Sequence, residues 1–298
     1  MSVPTLLVTG ASGHLGRAVV RHLLDTLQVP PARVIATSRK PEALADLAAR
    51  GVTVRAADFD EPGTLAEAFR GADRVLLVST DALLEPGKRL TQHRAAVQAA
   101  ADAGAQHVVY TSLPTPDTSH VSFAPDHLGT EQALAASGLG WTFLRNAWYA
   151  ENLAYALPSA LASGEWVTAA GEGGVAYIAR DDLAHAAAVA LAADGTGNRI
   201  LTLTGTQALT AREVAAKVAT VTGKPLAVVG VTAEQLADGL RAHGLPPALA
   251  EVFTSFDVAT AAGDLAAVTD DFAALTGRAP ATFDAWLPAH LDLLTKPH

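Results

Sequence analysis

The chain has 298 residues, half of them hydrophobic and 17% charged, with a formal net charge of −9 and no cysteine. That composition suits an enzyme of one large or two modest domains, and it excludes disulfides, a thiolate nucleophile and a cysteine metal cage. Lys and Arg form no block or stripe, no apolar run reaches the length of a membrane span, and the N-terminus shows no leader pattern, so neither nucleic acid nor membrane is expected as a partner and a cytoplasmic location is.

The first predicted element is a short strand, Leu6-Leu7-Val8, followed at once by Thr9-Gly10-Ala11-Ser12-Gly13-His14-Leu15-Gly16 and an amphipathic helix carrying Val19, Val20, Leu23 and Leu24. G-x-x-G-x-x-G between a strand and a helix marks a dinucleotide phosphate site. Gly10 allows a sharp turn, Gly13 lets the backbone approach a pyrophosphate, and Gly16 lets the helix pack close to the sheet. The helix N-terminus adds N–H donors and partial positive charge, and Ser12, His14 and Leu15 lie in the same turn.

Further strands are expected over 33–37, 52–56, 74–78, 107–111 and 141–144, alternating with helices over 43–50, 64–70, 88–103 and 126–137. Strands spaced by helices imply right-handed crossovers and a parallel sheet covered on both faces. The fold class is therefore α/β, a doubly wound parallel Rossmann sheet with a smaller, mostly helical C-terminal lobe. Beyond residue 150 the alternation breaks. Arg180-Asp181-Asp182 opens a helix that Asp181 or Asp182 could cap, 198–204 reads as a strand returning to the sheet, and Thr210-x-x-Glu213 is a capping box before a helix over 214–221. A strand over 226–231 and more helices follow. Residues 1–150 are expected to bind the dinucleotide, and 151–298 to form a substrate lobe closing over the carboxyl ends of the strands.

The end of the second strand selects the dinucleotide. Ser38-Arg39-Lys40 offers no carboxylate for a ribose 2′-hydroxyl, whereas Arg39 presents a permanently charged fork suited to a 2′-phosphate, so NADP(H) is expected over NAD(H). Asp58 and Phe59, after the third strand, suit the adenine. Ser79 and Thr80 end the fourth strand at the crevice where open sheets bind ligands.

Four runs then combine: Tyr110-Thr111-Ser112-Leu113, Asp117-Thr118-Ser119, His127-Leu128-x-Thr130-Glu131 and Leu144-Arg145-Asn146-Ala147-Trp148-Tyr149-x-Glu151-Asn152. In these runs, and in Gln92-His93-Arg94 and Ala179-Arg180-Asp181-Asp182, the chain resembles the NmrA-like atypical short-chain reductases over nearly its whole length. Within them it is similar to bacterial NADPH-dependent quinone oxidoreductases, with triphenylmethane reductases as near relatives. The resemblance implies an extended Rossmann fold, NADPH binding and two-electron reduction of a quinone without a flavin. Reduction of ketones or cationic triarylmethane dyes, and a non-catalytic NADP(H) sensor, are the alternative readings.

Ordinary short-chain reductases pair a Ser after the fifth strand with Tyr-x-x-x-Lys on the next helix. Ser112 matches the first position, but the helix carries His127-x-x-x-Glu131. His127 is the candidate acid, since a carboxylate one turn away would favour an imidazolium; a structural His is the equal alternative, and Glu131 reads as structural. A quinone relaxes the need for an acid, because its hydroquinone anion is delocalised. Asn146 and Tyr149 complete the catalytic candidates, and Ser112 and Asn146 are expected to reach the cofactor as well. Phe123, Trp148, Tyr149 and Tyr177 are expected to wall a flat acceptor. His93 reads as a satisfied core histidine. The histidines show no ligand spacing, so no metal is expected. A small-molecule acceptor is the expected partner, and a homodimer is compatible with the sequence.

Overall fold

The apolar runs of the first half become the strands of one seven-stranded sheet. The structure, a computed structural model, describes residues 3–195 and 197–295. In chain order it gives β1 (Leu6–Val8), α1 (His14–Arg21), β2 (Val34–Ser38), α2 (Ala45–Ala49), β3 (Thr53–Ala56), α3 (Gly63–Phe69), β4 (Arg74–Leu77), α4 (Lys88–Asp102), β5 (His107–Ser112), α5 (Ala124–Ala136) and β6 (Gly140–Asn146). Then come α6 (Leu157–Ser163), β7 (Glu165–Thr168), β8 (Gly174–Val175), α7 (Arg180–Ala192), β9 (Arg199–Leu203), β10 (Leu209–Thr210), α8 (Ala211–Thr222) and β11 (Ala227–Gly230). The remainder is helical: α9 (Ala233–Ala242), α10 (Pro247–Ala261), α11 (Asp271–Thr276), α12 (Phe283–Ala289) and α13 (Leu291–Thr295).

The sheet runs β3-β2-β1-β4-β5-β6-β9, and the pairs from β3 through to β6 are all parallel. This is the doubly wound order expected from strands joined by helices, with the strand order reversing between β1 and β4. Strands β1, β2, β4 and β5 are buried along their full length, as continuous apolar runs in a doubly covered sheet require. On one face Leu65 and Phe69 of α3, Val97 and Ala100 of α4 and Leu134 of α5 pack with Leu7, Val75, Leu77 and Val108 of the strands.

The chain divides into two compact units that interleave along the sequence rather than meeting at residue 150. The first comprises 1–113, 126–145 and 181–201; the second comprises 114–125, 146–180 and 202–298. The expected lobe therefore loses most of α7, and the expected Rossmann half gives up the 114–125 loop, because tertiary contacts group these segments differently from their order in the chain. Buried Arg74 gives one reason. Its guanidinium donates to the carbonyls of Ala190, Leu191 and Gly195, joining β4 to the end of α7. The second unit has its own core of Leu153, Leu157, Val214, Val218, Phe283, Trp286 and Leu287. Its short strands pair as β7 with β11 and β8 with β10.

The capping box forms as expected: Thr210 Oγ1 accepts from the Glu213 N–H, and the Glu213 carboxylate accepts from the Thr210 N–H at 2.8 Å. At the start of α7 the Arg180 N–H is held by the Glu151 carboxylate at 3.0 Å, while Asp181 is engaged by Arg21 and His22. Among the described residues no helix is long and apolar enough to cross a membrane.

Candidate functional site

A cavity of about 290 Å³ lies at the carboxyl ends of β1 to β4. Its floor is the glycine turn. Gly10 has φ +61°, a left-handed conformation in which a side chain would be strained. A Cβ on Gly16 would sit 2.4 Å from the Gly10 carbonyl oxygen, and one on Gly13 3.3 Å from the same atom, so the helix packs on the turn backbone with no room to spare. The turn is stitched on both sides: Ala11 N–H donates to Thr37 O at 2.9 Å, and Thr9 Oγ1 donates to Leu76 O and accepts from Val78 N–H. No side chain caps the N-terminus of α1, and no acidic residue occupies its first turn. Its orphan N–H groups and dipole remain directed at whatever fills the cavity.

Ser12 and Ser38 share a hydrogen bond of 2.7 Å, and Ser38 Oγ also accepts from Lys40 N–H, so β2 delivers its terminal residues to the cavity in a fixed order. Arg39 is exposed along the cavity, with Asp58 and Phe59 on the same wall. Of the residues expected at the cofactor, Gly10, Ser12, Gly13, His14, Leu15, Arg39, Asp58, Phe59, Ser79 and Thr80 line this one space. Lys40, Ser112 and Asn146 are not among its lining residues. The residues the sequence reasoning missed include Ser38, Asp81 and Gln92. Gln92 accepts from Thr80 Oγ1 at 2.7 Å and donates to Asp60 at 2.8 Å, a bridge from the middle of α4 that no local motif signals.

Behind Thr80 lies a buried polar network. The Thr80 N–H donates to His93 Nε2, which leaves Nδ1–H to donate to Thr130 Oγ1 at 2.9 Å. Arg89 Nη2 donates to His127 Nε2 at 2.9 Å, so the His127 proton is on Nδ1 and points to the Tyr110 oxygen at 2.8 Å. Burial pulls the His93 imidazole down to about 3, aided by the charge of Arg89. His127 is held well below the usual histidine range by burial first, then by Arg89 and His93. Burial also raises the Tyr110 phenol. The expectation of an imidazolium acid at His127 is thus corrected: the ring is 3% exposed, neutral, and faces a guanidinium rather than a carboxylate. His93 is a core histidine with both nitrogens bonded.

Glu131, the carboxylate expected to charge His127, is turned elsewhere. It accepts from Arg145 through Nε at 3.0 Å and Nη2 at 2.7 Å, and from Ser112 Oγ at 2.7 Å. Ser112 and Arg145 are paired in register across β5 and β6, so the carboxylate closes a clamp over the ends of both strands. Ser112 and Glu131 are each 5% exposed.

In the second unit, Asn146 is 7% exposed and its Oδ1 has no hydrogen-bond partner. An unpartnered buried acceptor is costly and points to a donor that is not part of the chain. Trp148 packs on Phe256 with ring centroids 4.2 Å apart, and Phe123 meets Phe256 edge-on at 5.9 Å. Phe253 and then Tyr155, 70% exposed, continue the run of rings outward. Phe256 and Phe253 were missed, since they lie on α10, far in sequence from the motif. Tyr149 has the Arg180 guanidinium over its ring at 5.6 Å. Tyr177 is the exception to the expected wall: it packs on Phe283, in the core below α12, and not on the Trp148 and Phe256 rings. Among the described residues no group of three or more His, Asp or Glu is placed to hold a metal ion.

The profile of the NmrA-like family matches residues 3–287. The chain is 37% identical to quinone oxidoreductase 2 of Escherichia coli over 260 residues, covering 87% of this chain and 89% of that protein. It is 33% identical to an NAD(P)H azoreductase of Xenophilus azovorans, covering 96% and 97% of the two chains. Among solved structures, an NADPH-dependent quinone oxidoreductase from E. coli, complexed with NADPH, superposes with a TM-score of 0.90 at 36% identity, covering 96% and 99%. The Citrobacter sp. triphenylmethane reductase complexed with NADP(H) gives 0.87 at 34% identity, covering 94% and 98%.

Proposed function

The chain belongs to the NmrA-like family, and from that premise we propose that it is an NADPH-dependent oxidoreductase that reduces a quinone or a similar conjugated acceptor by direct hydride transfer. The observation that carries the reading is the cavity: a turn with no room for a Cβ at Gly16, an uncapped helix N-terminus and Arg39 together on one space. These features fit a pyrophosphate and a second, terminal phosphate. Quinone, azo and triphenylmethane acceptors in the names of its relatives support the acceptor class.

NADPH, when bound, supplies the hydride. The chain's part is to bind and orient. Main-chain N–H groups at the start of α1 would hold the pyrophosphate, Arg39 would take the 2′-phosphate with the neighbouring Lys40 adding positive charge, and Asp58 and Phe59 would flank the adenine. Asn146 Oδ1, able only to accept, takes an N–H or O–H donor from a ligand. The flat faces of Trp148, Phe123 and Tyr149 suit a conjugated ring. His127 is neutral and the Ser112 proton is spent on Glu131, so neither donates to an acceptor oxygen. A quinone tolerates this: its reduced anion is stabilised by the new aromatic ring and takes a proton from water, whereas the alkoxide from a ketone needs a strong local acid. We further propose that the protein is cytoplasmic, has no nucleic-acid partner and is compatible with a homodimer.

The test is loss of NADPH absorbance on addition of p-benzoquinone, a simple aryl ketone or no acceptor, with NADPH binding followed in parallel. Rapid quinone-dependent oxidation, with the ketone far slower, is the expected outcome. Tight NADPH binding without turnover of any acceptor would replace this reading with the redox-sensor one.

A further inference from the structure

The clamp formed by Ser112, Glu131 and Arg145 does more than tie two strand ends together. Arg145 donates to both Glu131 oxygens through Nε and Nη2, the paired geometry of a guanidinium with an ionic carboxylate, which can only accept. The proton in the 2.7 Å contact between Ser112 Oγ and Glu131 Oε1 therefore belongs to the serine, and it points inward. A hydroxyl has one proton to give. With that proton committed, Ser112 offers a ligand only lone pairs, although it stands at the carboxyl end of β5, the side of the sheet on which open α/β folds bind ligands.

We infer that Glu131 is a positioning residue that fixes the hydrogen-bond direction of Ser112, and so sets the preference for conjugated acceptors over plain ketones. The inference rests on the reductase reading and deepens it. A ketone oxygen needs a donor as charge builds on it, and a hydroxyl free to turn outward would be one. The carboxylate denies the site that donor. It is itself held by a part-buried ion pair, Arg145 being 19% and Glu131 6% exposed at the side chain, which restrains its orientation. Discrimination of this kind is built against one substrate class, leaving the other unaffected.

The test removes the clamp as a pair, because replacing one member would strand a buried charge, whereas apolar replacement of both is well tolerated in other proteins. In the Glu131→Met/Arg145→Met protein the Ser112 hydroxyl is released. The expected result is a rise of about tenfold or more in the ratio of kcat/KM for an aryl ketone to that for p-benzoquinone, abolished when Ser112→Ala is added. A ratio unchanged by the pair, or a rise that survives Ser112→Ala, overturns the inference. Ser112→Ala alone, in the otherwise native chain, guards against a misfolded pair: it should move both activities by the same factor. A selective loss of ketone activity of about tenfold would mean that Ser112 already donates to acceptors, and would overturn the inference too.

A proton NMR spectrum gives a readout that needs no turnover. A slowly exchanging hydroxyl resonance, absent in Ser112→Ala and lost from the Glu131→Met/Arg145→Met protein, is expected; its absence from the native protein overturns the assigned direction. Failure of the underlying reading looks different: the resonance is present but no acceptor is turned over, and the selectivity role falls with the activity.

Discussion

The cavity at the ends of β1 to β4 is lined by short contiguous segments with an exposed main chain, whereas the ring cluster of the second unit draws Phe123, Trp148 and Phe256 from three distant stretches. In the first region the determinants are absences of side chain: a left-handed φ at Gly10 and a Cβ-free approach at Gly16. In the second they are presences, large rings that touch one another. The lesson concerns tolerance. A methyl at Gly16 would meet main chain that has nowhere to move, while the ring cluster can lose one member and keep the others.

The sharpest way to break that contrast is Gly16→Ala. The new Cβ would meet backbone, which cannot swing aside, so overpacking of about 1–3 kcal/mol or more is expected. NADPH affinity should fall by about tenfold to a hundredfold, together with the melting temperature, in a fluorescence titration and a thermal melt. An unaltered affinity would show that the turn is not the phosphate floor. Next comes Arg39→Ala, the cavity side chain expected to act on the 2′-phosphate by charge. A charged hydrogen bond is worth about 1.5–3 kcal/mol, so NADPH binding should weaken by about ten- to a hundredfold, with NADH nearly unaffected. Equal losses for the two dinucleotides would refute the phosphate assignment.

Phe256→Ala tests the other region. Removing the ring between Trp148 and Phe123 should raise the KM for quinone about three- to tenfold while NADPH affinity holds, since ring pairs contribute about 0.5–1.5 kcal/mol beyond their burial. The reverse pattern would move the cluster to the cofactor side.

The last effect belongs to neither region but to the network behind the cavity, and it is nil at neutral pH. His93 is pulled down to about 3 in the folded state, from an ordinary value near 6.5. Between those values the unfolded chain binds the extra proton, so this residue's contribution is full above about pH 6.5 and is lost as pH falls towards 3. At its steepest the loss is about 1.4 kcal/mol per pH unit. His93→Gln should flatten the acid limb of a plot of melting temperature against pH; an unchanged limb would mean that the ring is not held neutral.

Much of the first unit was legible because its determinants are local. The glycine spacing after β1, the basic residues that follow β2 and the capping box of α8 each act within a few residues of where they are read. The neutral state of His127 was not legible. A carboxylate one turn along the helix argues for an imidazolium, and only the fold shows that Arg145 and Ser112 claim Glu131 while Arg89, from α4, faces the ring. Phe256 was hidden for the same reason, as its neighbours are set by tertiary packing and not by spacing. The division at residue 150 failed because a boundary in sequence assumes that a lobe is one stretch of chain.

Interleaving also sets a timetable for synthesis. The guanidinium of Arg74 finds its acceptors at residues 190 to 195, so β4 leaves the ribosome well before its side chain can be satisfied. At about 5–20 residues per second that wait is roughly 6–24 s, during which a cationic group destined for burial has no partner from α7. Until then the guanidinium is satisfied by water, which disfavours burial of β4 at the middle of the sheet. Until translation has passed α7 that central strand lacks its native acceptors, and a ribosome that pauses before residue 195 prolongs the interval in which the half-built sheet is exposed to chaperones and proteases.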